Sequence, residues 1–108
     1  MKKIVFFVPK KDCEKVKMAM FQAGGGTIGD YDYCAFEGLG VGQFRPGNSA
    51  NPTIGKLGEL ERVEEMRVEM ICKEDYLSSC LQALVQAHPY EEPAIDVIEV
   101  IDYKNFLP

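Results

Sequence analysis

The chain opens on a β-branched and aromatic run, Lys2 to Val8, closed by Pro9; an apolar run this short suits a strand buried on both faces. The period then changes. Val16, Ala19, Met20 and Ala23 recur at i, i+3, i+4 and i+7, one apolar stripe over about three helical turns, with Asp12 placed to cap it. Gly24-Gly25-Gly26 ends this helix, because glycine takes the left-handed conformation that a helix C-terminus favours. Tyr31 to Phe36 reads as a second strand that runs into Gly38-Leu39-Gly40-Val41-Gly42-Gln43-Phe44. In an extended chain the alternate glycines share one side and leave it bare, so that another backbone or a ligand can approach; a bend or bulge is the other reading. Arg45 to Ile54 has the Pro, Gly, Asn and Ser content of a long exposed loop.

From Arg62 to Cys72 the side chains Met66, Val68, Met70 and Cys72 alternate with Arg67, Glu69 and Ile71, the period of a half-exposed third strand. Leu77, Cys80, Leu81, Leu84 and Val85 then follow helical spacing, which predicts a second helix from about Asp75 to Ala87. Pro89 disfavours helical geometry at His88 and should stop it there. Ala94 to Ile101 alternates as a last strand. The order β-α-β-β-α-β predicts an α+β, ferredoxin-like sandwich: an antiparallel sheet with two helices on one face. The other face then lacks cover, and a second copy of the chain is the common way to supply it, so a homo-oligomer is expected.

Composition narrows this picture. With 108 residues, 46% hydrophobic and 27% charged, one domain spanning 1–108 is expected to fold without metal or disulfide staples. A net charge of −5 and the lack of any Lys/Arg run argue against nucleic acid as a partner. The apolar run Ile4 to Val8 is too short for a signal peptide, and no stretch approaches the roughly 20 apolar residues of a membrane span. A soluble, cytoplasmic protein without membrane partners is the expectation. Cys13, Cys34, Cys72 and Cys80 lack metal-ligand spacing and read as buried free thiols.

Nucleotide signatures fail. The glycines at 38, 40 and 42 are spaced G-x-G-x-G, which is not the dinucleotide fingerprint. Around Gly55-Lys56 a phosphate loop would need a glycine where Ala50 stands and a hydroxyl residue where Leu57 stands. The most distinctive segment is His88-Pro89-Tyr90-Glu91-Glu92-Pro93-Ala94, which carries the only histidine. His88 beside Glu91 and Glu92 is a residue set that can hold a divalent metal or move a proton. The structural reading has more weight: the prolines stiffen a turn, Tyr90 packs its ring, and His88 satisfies the last helix carbonyls. One histidine gives one nitrogen ligand, and adjacent glutamates point apart in extended chain. Glu59, Glu61, Glu64, Glu65 and Glu69, interleaved with Arg62 and Arg67, read as a solvated strand face. Arg45, at the edge of the glycine stretch, is a candidate for an anionic ligand or a neighbouring carboxylate. No catalytic set emerges.

Gly40-x-Gly42-x-Phe44-Arg45-Pro46, then Gly55-x-x-Gly58-x-Leu60-Glu61-x-Val63-Glu64-Glu65, then His88 to Ala94 with Asp96-Val97, together resemble the YqfO-type NGG-interacting-factor-three-like family. Larger members of that family carry a dinuclear-metal domain interrupted by a PII/CutA-like insert, and this chain resembles the insert alone over nearly its full length. The His-Pro-Tyr-Glu stretch is also similar to the turn before a late strand in CutA-like proteins, which implies a trimer. The histidine-rich, metal-holding segments of the larger members have no counterpart here, so the resemblance implies no hydrolase or cyclohydrolase activity. The resulting expectation is a small regulatory or assembly module, not catalytic by itself. It would be a homotrimer binding a small ligand, metal ion or protein partner, with Gly40, Gly42, Arg45, His88, Tyr90, Glu91 and Glu92 as the ligand-binding residues. The alternative is a metal-dependent enzyme using His88, Glu91 and Glu92 at a subunit interface, with a divalent metal as its cofactor.

Overall fold

Alternation along each strand sorts its side chains onto two unlike faces, and the helices cover only one of them. The computed structural model describes residues 1–108. Its elements run β1 (Lys2–Pro9), α1 (Cys13–Gln22), β2 (Phe36–Phe44), β3 (Glu61–Cys72), α2 (Glu74–Ala87) and β4 (Ile95–Glu99), with 3₁₀ turns at Lys10–Asp12 and Tyr103–Phe106. The sheet order is β2-β3-β1-β4, and every neighbouring pair is antiparallel. The α+β, β-α-β-β-α-β ferredoxin-like fold is therefore present as the periodicity predicts.

On the helix face, Ile4, Phe6 and Val8 of β1 stand opposite Met70, Val68 and Met66 of β3. Cys13, Val16 and Met20 of α1 and Cys80 and Leu84 of α2 close over them to form the core. Burying each of the larger side chains contributes about 1.5–3 kcal/mol, which makes this layer the main source of stability. The helices are tied at one end, where the Ser79 hydroxyl donates to the Ala23 carbonyl at 2.9 Å. The other face presents Lys3, Val5 and Phe7 of β1, Glu65, Arg67 and Glu69 of β3, and Phe36, Gly38, Gly40, Gly42 and Phe44 of β2, as the registers require.

The second strand starts later than its aromatic content suggests. Phe36 is its first residue, and residues 31–35 form a loop. Gly24, Gly26 and Gly29 have positive φ and turn the chain back. Tyr33 stacks on Phe21 of α1 with ring centroids 4.8 Å apart, and Cys34 N–H donates to the Gly26 carbonyl at 2.8 Å. These aromatics cover a helix end instead of pairing in the sheet. From Phe36↔Glu69 to Phe44↔Glu61 the β2–β3 ladder is unbroken, so the glycine stretch is regular strand, with neither bend nor bulge. Asp12 makes no side-chain cap bond, and a 3₁₀ turn leads into α1 in its place. β4 stops at Glu99 instead of Ile101, where its pairing with Lys2 ends. α2 ends as expected, with His88 extended at φ −71, ψ 135 ahead of Pro89. No helix is long and apolar enough to cross a membrane.

Candidate ligand cavity

The loop after β2 and the turn after α2 are far apart in sequence and meet beyond the ends of the helices. His88 fixes the turn. The residue is 6% exposed, and Nε2 lies 2.7 Å from the Phe7 carbonyl oxygen. A carbonyl can only accept, so Nε2–H is the donor; Nδ1 then accepts the Tyr90 N–H at 3.1 Å. Both ring nitrogens are thus used in holding the turn to β1.

The loop docks on that turn through two further bonds. Asn51 N–H donates to Glu91 Oε1 at 3.0 Å, and the Thr53 hydroxyl donates to the Pro89 carbonyl at 2.7 Å. Between loop, turn and sheet lies a cavity of about 490 Å³. Gly42, Arg45, Tyr90, Glu91 and Glu92 line it, together with Phe7, Phe44 and Glu65. A shallower hollow of about 350 Å³ continues along the helix-free face past Gly38, Gly40 and Arg67, sharing Phe7, Gly42 and Glu65 with the first.

Of the residues singled out from sequence, Gly42, Arg45, Tyr90, Glu91 and Glu92 therefore converge on one cavity, and Gly40 lines the adjoining hollow. His88 stands behind the wall. The set His88, Glu91 and Glu92 is not brought together as a group of potential metal ligands: His88 has no free nitrogen, and Glu91 is committed to Asn51. The group of potential ligands that does come together is Cys13, Glu14 and Glu37, but the Lys17 ammonium pairs with both of its carboxylates, at 2.8 Å from Glu14. Burial first, then Glu37, pushes the Cys13 thiol up to about 11, and burial pushes that of Cys80 up to about 12. Cys13, Cys72 and Cys80 are buried free thiols; Cys34 is half-exposed.

Glu65 is the residue the alternation pattern misplaces. Grouped by sequence with a solvated acidic face, it is only 8% exposed. Its Oε2 accepts the Tyr90 hydroxyl at 2.7 Å. Burial, followed by the bond to Glu65 and the charges of Glu65 and Asp12, raises the Tyr90 phenol above its ordinary value. The carboxylate lies over Gly42, where any Cβ would collide with it. The bare strip of glycines thus has a definite occupant at one position. Phe44 sits 6.0 Å from the Tyr90 ring, and Phe7 completes the aromatic wall. A signal for Glu65 existed in the glycine facing it, but only the strand register, Gly40 opposite Glu65 with Gly42 two residues on, makes it readable.

A four-stranded antiparallel sheet with both helices on one face is the ferredoxin-like arrangement, and solved structures of CutA share this fold. CutA from Pyrococcus horikoshii superposes with a TM-score of 0.67 at 20% identity, covering 99% of this chain and 92% of that one. The sequence places the chain more narrowly: it matches the insert region of the GTP cyclohydrolase 1 type 2 homologues, which are NIF3-related proteins. The GTP cyclohydrolase 1 type 2 homolog of Halalkalibacterium halodurans is 45% identical over 95 residues, 88% of this chain and 26% of that protein. A Bacillus cereus protein related to NIF3 gives a TM-score of 0.81 at 42% identity, over 94% of this chain and 26% of that one. The chain thus spans about a quarter of the length of the curated relatives it matches. No protein-family model matches it.

Proposed function

We propose that this chain is a regulatory or assembly module that binds a small ligand in the cavity between the β2–β3 loop and the His88–Ala94 turn, and that it works as a homotrimer without catalysis of its own. The observation that carries the reading is convergence: two segments some forty residues apart are bonded to each other, Asn51 to Glu91 and Thr53 to Pro89, around a cavity large enough for a metabolite. A purely structural turn would need the bonds but not the space.

Assembly is supported by the apolar surface. Phe36, Leu39, Val41, Ile98, Ile101 and Phe106 are exposed, Phe36 and Phe106 at 71% and 76%. So much apolar area is unusual for an isolated small monomer and is the kind of surface that a symmetric interface covers. The cyclohydrolase named in the relatives is not carried over, since three quarters of those proteins lie outside the match. A metal-dependent site on His88, Glu91 and Glu92 lacks support of this kind, because His88 already spends both nitrogens on the backbone.

Light scattering on the purified chain tests the assembly, with a mass three times that of the monomer expected. A thermal-shift screen of metabolites against the native chain and Arg45→Ala tests the cavity. Ligands that stabilise the first and not the second support the placement, and hits indifferent to Arg45, Tyr90 and Glu92 substitutions would move the site elsewhere.

A further inference from the structure

We infer that the cavity takes a small organic cation, an alkylammonium or guanidinium group seated on Glu65 among the rings of Phe7, Phe44 and Tyr90. This rests on the ligand-module reading above and names the ligand class of the same site.

The starting point is an imbalance at Glu65. Glu65 as a residue is 8% exposed, and a carboxylate in so enclosed a place normally has a cation or several donors. Glu65 has one donor, the Tyr90 hydroxyl on Oε2. No Lys or Arg forms an ion pair with it. Arg67, two residues along the same face, lines the adjoining hollow and pairs with Glu69 instead, its Nε 3.4 Å from Glu69 Oε2 and its guanidinium carbon over the Phe7 ring, 5.7 Å from its centre. Oε1 accepts no hydrogen bond and lies over Gly42, at the junction of the cavity and the hollow beside it. A largely enclosed carboxylate with an unbonded oxygen facing open space is a seat for a donor that carries positive charge.

The surroundings select the kind of cation. Phe7, Phe44 and Tyr90 line the same space, and aromatic faces attract ammonium and guanidinium groups. Charge points the same way: Glu65, Glu91 and Glu92 line the cavity against Arg45, with Arg67 in the adjoining hollow, and the remaining negative balance disfavours phosphates and carboxylates. A bare divalent metal fits less well. It would need several ligand atoms at short range, whereas Glu65 Oε1 is unused but Glu91 is bonded to Asn51 and no His or Cys lines the space. A volume of about 490 Å³ also exceeds what a hydrated ion requires and suits a molecule of amino-acid to nucleoside size.

The test is calorimetry and saturation-transfer NMR on the native chain with benzylammonium and butylguanidinium as cationic probes, benzyl alcohol as the neutral control and benzoate as the anionic one. The expected result is binding of the cations, with the alcohol and benzoate at least roughly tenfold weaker, as losing a hydrogen bond to a charged group implies. Glu65→Gln, which keeps an acceptor for Tyr90 but removes the charge, should weaken the cations by a similar factor. Gly42→Ala, which keeps the charge but displaces the carboxylate, should do the same, so a folding failure of either variant leaves the other to decide. Binding of benzoate that depends on Arg45, with the cations ignored, would overturn the cation assignment while leaving the cavity a ligand site. If no probe binds and Glu65→Gln dissociates the oligomer, the seat is filled by a basic side chain of a second copy, and the small-cation inference falls. If no probe binds and the assembly is indifferent to Glu65, both the inference and the ligand-module reading fail.

Discussion

The two faces of the sheet obey different rules. Toward the helices, Ile4, Phe6, Val8, Val68 and Met70 are fully buried in an apolar layer that contains no charge. On the opposite face, β1 and β3 carry Phe7, Glu65, Arg67 and Glu69, and Gly38, Gly40 and Gly42 leave part of β2 without side chains. A core gains stability from every methylene and tolerates no vacancy. The helix-free face departs from that economy, with space above the glycines and an incompletely satisfied carboxylate beside it. Local departures of this kind, in a chain otherwise consistent at every level, are where function is expected.

The contrast can be broken most forcefully in the core. Phe6→Ala, at a fully buried position, should lower the free energy of unfolding by about 3–5 kcal/mol in urea titrations. A smaller loss would mean that the helix layer is not the main source of stability. Next comes the hinge between the faces: His88→Ala removes partners from the part-buried Phe7 carbonyl and Tyr90 N–H and should cost about 1–3 kcal/mol. The same substitution should loosen the loop at Asn51 and Thr53, visible as faster amide exchange there. Within the glycine strip the expected effects diverge. Gly42→Ala forces the Glu65 carboxylate aside and should cost about 1–3 kcal/mol, whereas Gly38→Ala and Gly40→Ala meet open space and should stay within about 0.5 kcal/mol. Equal costs at the three positions would remove the special place given to Glu65.

The last effect is one of pH. The thiols of Cys13 and Cys80 are raised in the folded chain to about 11 and about 12, and the Tyr90 phenol is raised as well. An acid whose pKa is raised by folding holds its proton more tightly in the native state, so its contribution is complete below the unfolded value and is lost as pH rises through the folded one. The contribution of these thiols should therefore be flat below pH 9.0, their ordinary value, and decline above it as unfolded thiols ionise. Cys80→Ala should flatten part of that decline in urea midpoints measured from pH 8 to 11.

Sequence alone carried the helix-covered half of the molecule almost completely. Periodicity marks Val16 and Met20 on α1 and Cys80 and Leu84 on α2, and those residues are the core. It also marks the two unusual segments, Gly38–Phe44 and His88–Ala94. Their meeting was not legible, because nothing in either segment states that Asn51 will bond Glu91 or that Tyr90 will reach Glu65 across the sheet. Alternation correctly assigns Glu65 to the helix-free face, but it equates that face with solvent, and the covering turn makes the difference. Tyr31 to Cys34 misled for a related reason: aromatic content predicts burial or stacking, and here Tyr33 stacks on Phe21 instead of entering the sheet.

Mapping backbone amide shifts as benzylammonium is titrated into the native protein tests the division between the faces most directly. Shifts should concentrate at Gly42 to Thr53, at Glu65 and at Tyr90 to Ala94, while α1 and α2 stay silent. Shifts centred on the helices, or spread evenly over both faces of the sheet, would contradict that division.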